Sequence, residues 1–98
     1  MGNSVMESGL DLSKYIEVRL FGERPHVRGR RVTVATIVHN ATARGWSVAE
    51  LAEHFELSEA EVLSALLYYE ENRALVDAQE AAFRAEIEKM NWLYDQDN

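Results

Sequence analysis

The sequence predicts a mainly α domain: a short N-terminal β arm or hairpin, a three-helix core built on a helix-turn-helix, and an extra C-terminal helix. Three observations predict it. Gly45 to Asn72 reads as a short helix, a break at Phe55-Glu56-Leu57 and a longer helix, which is the helix-turn-helix pattern. Apolar residues recur at helical spacing on both sides of that unit, at Val34, Ile37, Val38 and Ala41 before it and at Phe83, Ile87, Met90 and Tyr94 after it. Ile16, Val18 and Leu20 instead alternate with polar residues, as along a half-buried strand.

Taken in order, Met1 to Ser13 is polar and rich in turn formers, and is expected to be a mobile lead-in. Tyr15 to Phe21 is the strand candidate, and Gly22-Glu23 is a turn. Pro25-His26-Val27 can extend only at a sheet edge, because Pro25 has no N–H to donate. Gly29 permits a turn with positive φ, so residues 15 to 33 read as a hairpin or small β arm. Thr33 caps a helix that runs to Arg44, and Gly45 stops it. Ser47 caps the next helix, whose stripe is Val48, Leu51, Ala52 and Phe55. Ser58 with Glu61 is a capping box, followed by Val62, Ala65, Leu66 and Tyr69. Asn72 ends that helix. Leu75 and Val76 then bridge to a fresh start at Asp77, where Asp77 and Glu80 have capping-box spacing. The expected organisation is a lead-in over 1–13, a helix-turn-helix domain with its β arm over 14–75, and a partner-binding or dimerising helix over 76–98.

Ninety-eight residues make one domain with a small core. Such domains gain stability by pairing, so a homodimer is expected. The chain has no cysteine, which removes disulfides and thiolate zinc sites. No apolar run approaches the ~20 residues that cross a bilayer, and the N-terminus lacks a signal-peptide layout. A cytoplasmic protein without membrane contact is expected.

The net charge is −7 but is unevenly spread. Residues 14–44 carry seven basic and two acidic groups, a net of +5, whereas residues 45–98 carry three basic and thirteen acidic groups, a net of −10. Two surfaces of opposite sign suit two different partners, or two solvated faces.

Catalytic signals are missing. His26, His39 and His54 have no paired metal-ligand spacing, and Glu50, Glu53 and Glu56 are spaced as a solvated helix face. No glycine-rich phosphate loop or nucleophile elbow occurs. No enzyme activity, metal or cofactor is expected.

Two clusters remain. Arg24, His26, Arg28, Arg30 and Arg31 put cations on a turn beside a strand. Such an arm can lie along a phosphate backbone, or its arginines can pair with acidic residues of the same chain. The second helix of the helix-turn-helix starts Ser58-Glu59-Ala60-Glu61. Carboxylates at the end that normally approaches bases repel phosphate, so the β arm is the better candidate for DNA. The last helix carries Phe83, Ile87, Met90, Trp92 and Tyr94. These large groups can cover the core, form a self-complementary dimer face, or dock in a groove on another protein.

The stretch Gly22-Glu23-Arg24-Pro25-His26-Val27-Arg28-Gly29-Arg30-Arg31-Val32-Thr33-Val34 resembles the signature G-K-P-V-I-R-G-T-R-I-x-V of a family of small bacterial and archaeal proteins, the domain of unknown function numbered 433. The likeness continues through Gly45-Trp46-Ser47, Glu50-Leu51-Ala52, Leu57-Ser58, Val62, Ala65-Leu66 and Tyr68-Tyr69, and so spans about residues 15 to 75. Glu23 replaces a frequent Lys and Arg30 a frequent Thr. The first change weakens the basic arm and the second strengthens it. The resemblance implies a helix-turn-helix-like fold. It also implies, commonly, the antitoxin role in a VapBC-like toxin–antitoxin pair, with a PIN-like ribonuclease as toxin and operator DNA as a second partner. On that reading Phe83, Ile87, Met90, Trp92 and Tyr94 grip the nuclease. Arg84 or Lys89 reaches the carboxylates that hold its metal and competes with that metal. The rival readings are a structural dimerisation or adaptor module, and a free-standing transcription regulator.

Overall fold

A computed structural model describes residues 12–18 and 24–97, with only the backbone over 94–97. The described part begins with a 3-10 turn, Leu12–Lys14, and enters strand β1, Ile16–Glu17. Strand β2, His26–Val27, pairs antiparallel to it, with Ile16 opposite Val27 and Glu17 opposite His26. The expected strand over 15–21 thus appears as its first part, while Arg19, Leu20 and Phe21 lie outside the described residues. His26 also bridges Thr33. A tight turn closes this second, smaller hairpin: Arg30 N–H donates to Val27 O at 2.9 Å, and Gly29 takes φ 77°. A side chain at that φ is strained, which is why glycine occupies the position.

Helix α1 is Val34–Ala43, capped by Thr33, whose hydroxyl accepts from the Thr36 N–H. Gly45 follows at φ 68° and turns the chain into helix α2, Val48–Phe55. Ser47 and Glu50 close a full capping box there. Helix α3, Glu59–Glu71, starts with the box formed by Ser58 and Glu61. The turn between α2 and α3 passes through Glu56 at φ 58°, ψ 47°, a left-handed conformation that costs a non-glycine residue about 1–2 kcal/mol. Helix α4, Arg73–Asp97, is the last described element.

Ile16, Val27, Val34, Ile37, Leu51, Ala52, Leu57, Val62 and Ala65 form one core. They come from the hairpin, from α1, α2 and α3, and from the α2–α3 turn, so the β arm is a wall of the helical core rather than an appendage.

One expectation is corrected. The fresh helix start at Asp77 does not exist: α4 is continuous from Arg73. The break lies at Asn72, at φ −133°, ψ 33°, where the side-chain amide donates to Tyr68 O at 3.0 Å. Asp77 caps no helix. Its carboxylate accepts the Tyr69 hydroxyl at 2.9 Å, which raises the Tyr69 pKa above its ordinary value. Val76 is only 2% exposed. The first turns of α4 therefore belong to the folded body, and the helix leaves it further on.

Candidate partner-binding surface

The candidate residues lie on the β arm and on α4, and the start of α3 bears on the choice between them. On the arm, Arg24 sits just before β2 and turns inward. Its Nη1 donates to both carboxylate oxygens of Glu80, at 3.1 and 3.0 Å, and its guanidinium stacks on Phe83 with 3.7 Å to the ring centroid. One side chain thus ties the arm to α4 by charge and by cation–π contact.

His26 is 9% exposed. Its Nδ1 lies 3.0 Å from Arg24 O and its Nε2 3.1 Å from a Glu17 oxygen. Glu17 is the hub of this corner. It accepts from the Gly29 N–H at 3.3 Å and from Arg28 Nη1 at 3.3 Å. The Gly29 bond above all, aided by His26 and Arg28 against desolvation, holds the Glu17 carboxyl below its ordinary range. Arg28 also donates through Nε and Nη2 to Ser13 O. Arg30 Nη2 donates to Glu56 O at 2.7 Å, satisfying a carbonyl at the strained turn after α2. Arg31 is exposed and makes no hydrogen bond or ion pair among the described residues. Four members of the basic cluster therefore hold this chain together, and Arg31 is left facing solvent.

At the start of α3, Glu61 is used by its capping box, while Glu59 is exposed. Further along, Ala60, Leu63 and Leu67 line a shallow apolar groove with Tyr15. The outer face of α3 is acidic at its N-terminus and greasy beyond, and α3 itself has no lysine or arginine to meet phosphate.

Helix α4 is different. Phe83 is 43% exposed, Ile87 42%, Met90 52%, Trp92 58% and Leu93 50%. The molecule is elongated, 60 × 30 × 22 Å, because the distal turns of α4 run past the body. Phe83, Ile87 and Met90 follow at spacings of four and three and share one face. Trp92 lies on nearly the opposite face. The Tyr94 side chain is outside the described residues. Lys89 is exposed on the free turns, whereas Arg84 lines the cleft between α1 and α4 with His39, Asp77 and Glu80. The two candidate cations are thus separated by the structure, and Lys89 is the one on the projecting part.

Sequence reasoning did not find Glu17, Glu80 or Glu56 as partners of the arginines. Glu17 had a signal, since it lies one residue from Ile16 on a short strand that must pair locally. Glu80 lies 56 residues from Arg24, and nothing in either stretch announces the pairing.

Among the described residues no three His, Cys, Asp or Glu side chains gather to hold a metal ion, and no helix among them is long and apolar enough to cross a membrane. Comparison with curated proteins and with solved structures finds no match to the chain. Residues 16–69, from β1 to the last turn of α3, match the family described as "Protein of unknown function (DUF433)". That segment holds the hairpin, the helix-turn-helix and nearly all of the core, and the chain belongs to this family.

Proposed function

We propose that the chain is the antitoxin of a type II toxin–antitoxin pair, which neutralises a PIN-like ribonuclease by direct binding through α4. The observation that carries this reading is the exposed apolar face of a helix that projects from a folded body: Phe83, Ile87 and Met90, with Trp92 exposed on the other side of the same turns. A helix of this kind gains by laying its apolar face in a groove on a partner, with anchors at i, i+4 and i+7. Aromatic and methionine side chains are enriched in the buried centre of such contacts, where a few residues carry most of the binding free energy. Lys89, exposed on the same projecting turns but off the Phe83–Ile87–Met90 face, is the cation proposed to reach, from the edge of the contact, the carboxylates with which a PIN-like nuclease holds its metal. The antitoxin role itself comes from the resemblance of the signature, and α4 is the feature of this chain that fits it.

The test is co-purification. The chain is expressed with the product of the adjacent gene, only the neighbour is tagged, and full length is compared with a truncation after Ala85. The cut keeps Val76, Glu80 and Phe83, which serve the body. Recovery of full length alone is the expected result. Retention of neither form, or of both equally, overturns the reading.

For operator DNA the proposed site is Arg31, the cluster member with no internal partner among the described residues, supported by the half-exposed Arg28 guanidinium. Mobility shifts over a salt series then show a slope that is shallower in Arg31→Ala, by about 0.9 for each phosphate that is no longer neutralised. No shift at low salt, with or without the nuclease, removes DNA from the proposal.

A further inference from the structure

We propose that the chain meets duplex DNA with one row of helix α1, Thr33, Thr36, Asn40 and Arg44, joined to Arg31, and not with α3, the second helix of the helix-turn-helix. This rests on the operator reading above and deepens it, by naming the element that meets the groove and the form of nucleic acid that it fits.

Charge singles out α1. All seventeen Asp and Glu residues of the chain lie outside residues 24–49, a stretch that holds Arg24, Arg28, Arg30, Arg31 and Arg44. Helix α1 lies wholly within that stretch, whereas α2, α3 and α4 each carry acids. Helix α3 offers phosphate the wrong sign: Glu59 is exposed at its start, and it has no lysine or arginine.

The row is held together by its own hydrogen bonds. Thr33, Thr36, Asn40 and Arg44 follow at three, four and four residues and share one flank of the helix. The Thr33 hydroxyl donates to the Thr36 hydroxyl at 2.9 Å. Asn40 Nδ2 donates to Thr36 O at 2.8 Å, and Asn40 Oδ1 accepts from Arg44 Nε at 2.7 Å. Arg44 also lies over the Trp46 ring, 5.1 Å from its centroid. Both terminal nitrogens of Arg44 are left without a hydrogen-bond partner among the described residues. Thr36 and Arg44 are exposed, and none of the row bonds a carboxylate among the described residues. The cleft that Thr36 shares with Asp77 and Glu80 lies on the α4 side, and those two acids are engaged there by Tyr69 and Arg24.

Size agrees with a DNA groove. Ten helical residues span about 15 Å, and the major groove of B-DNA is roughly 12 Å wide and admits one helix. Arg31 and Arg44 flank the two ends of α1, so each can reach phosphates of a different strand. Thr36 and Asn40, between them, carry the hydroxyl and amide groups that bond base edges. An A-form RNA duplex closes its major groove to side chains.

The experiment titrates the full chain into a labelled DNA duplex taken from upstream of its own reading frame, over a salt series, beside an RNA duplex of the same sequence. The DNA is expected to bind in preference. Arg44→Ala makes the salt slope shallower by about 0.9. Thr36→Glu weakens binding about tenfold or more, the scale of one spoiled base contact. Its melting temperature does not fall, because a carboxylate three residues after the Thr33 cap suits a helix start. Leu63→Glu, at an exposed position of α3, binds as wild type does. Wild-type affinity and slope in both α1 variants, an equal loss in Leu63→Glu, or equal binding of the RNA duplex overturns the proposal. If Arg31→Ala flattens the slope while the α1 variants stay wild-type, the α1 assignment fails and the operator reading stands. If the wild type shifts no duplex at low salt, both fail.

Discussion

Arg24 decides how the N-terminal arm meets the C-terminal helix. Its guanidinium bonds both oxygens of Glu80 and lies over the Phe83 ring. Both partners are partly shielded, with side-chain exposures of 28% and 20%, so the pair is worth more than an open surface bridge and less than a buried one. Arg24→Ala is expected to cost about 1–2 kcal/mol in urea unfolding, with faster amide exchange in the first turns of α4. Glu80→Gln, which keeps the shape and one acceptor, costs less. Glu17 gives a pH signature. Its folded pKa is depressed, first by the Gly29 N–H and then by His26 and Arg28. Its contribution is therefore fully present above the unfolded carboxylate value, ~4.3, and is lost as pH falls through the lower folded value. Glu17→Gln should flatten the acid limb of the stability profile and leave the neutral region closer to its own plateau, by thermal melts from neutral pH down to strong acid. At this scale the sequence was legible in part. It showed a cationic turn with two uses, phosphate or internal acids. Internal acids and carbonyls engage Arg24, His26, Arg28 and Arg30, and the choice depended on distances that no spacing encodes.

Secondary elements were more legible, because their signals are local. Thr33, Ser47, Ser58 and Gly45 each sit where capping chemistry requires them. The capping boxes make the α2 and α3 starts quantitative: Ser58→Ala should cost about 1 kcal/mol, read as a lower melting temperature. The turn between them hides a strained residue. Glu56 is left-handed without being glycine, and its carbonyl is held by Arg30. Glu56→Gly should therefore stabilise by about 1 kcal/mol and raise the melting temperature by ~5 °C. An unchanged or lower value would show that the Glu56 side chain contributes more than its backbone costs. The false start at Asp77 came from the same local reasoning. Asp77 and Glu80 have capping-box spacing, but Tyr69 takes the first carboxylate and Arg24 the second. Long-range partners took groups that the local pattern assigned to a cap, and the last helix starts at Arg73, directly after the expected break at Asn72.

The whole molecule divides α4 into two functional lengths, and a pair of truncations tests that division. Up to Phe83 the helix is part of the body through Val76, the Tyr69–Asp77 bond and the Arg24 clasp. From Glu86 onward every residue with a described side chain is exposed. A chain ending at Ala85 should therefore unfold in urea within about 0.5 kcal/mol of full length, provided both are measured dilute enough that pairing of copies adds nothing by mass action. A chain ending at Asn72 loses a fully buried valine, worth about 1.5–3 kcal/mol of apolar burial, and also frees Arg24 beside a bared α1–α3 surface. It should be clearly less stable and expose more apolar surface to a reporter dye. The order matters for function as well as for folding. If the longer truncation is as stable as full length yet binds neither a second copy nor a protein partner, the distal turns exist for recognition and the stability of the domain is independent of them. If it unfolds like the shorter one, the projecting helix is holding the core in place, and its exposed stripe can no longer be read as a surface kept for a partner.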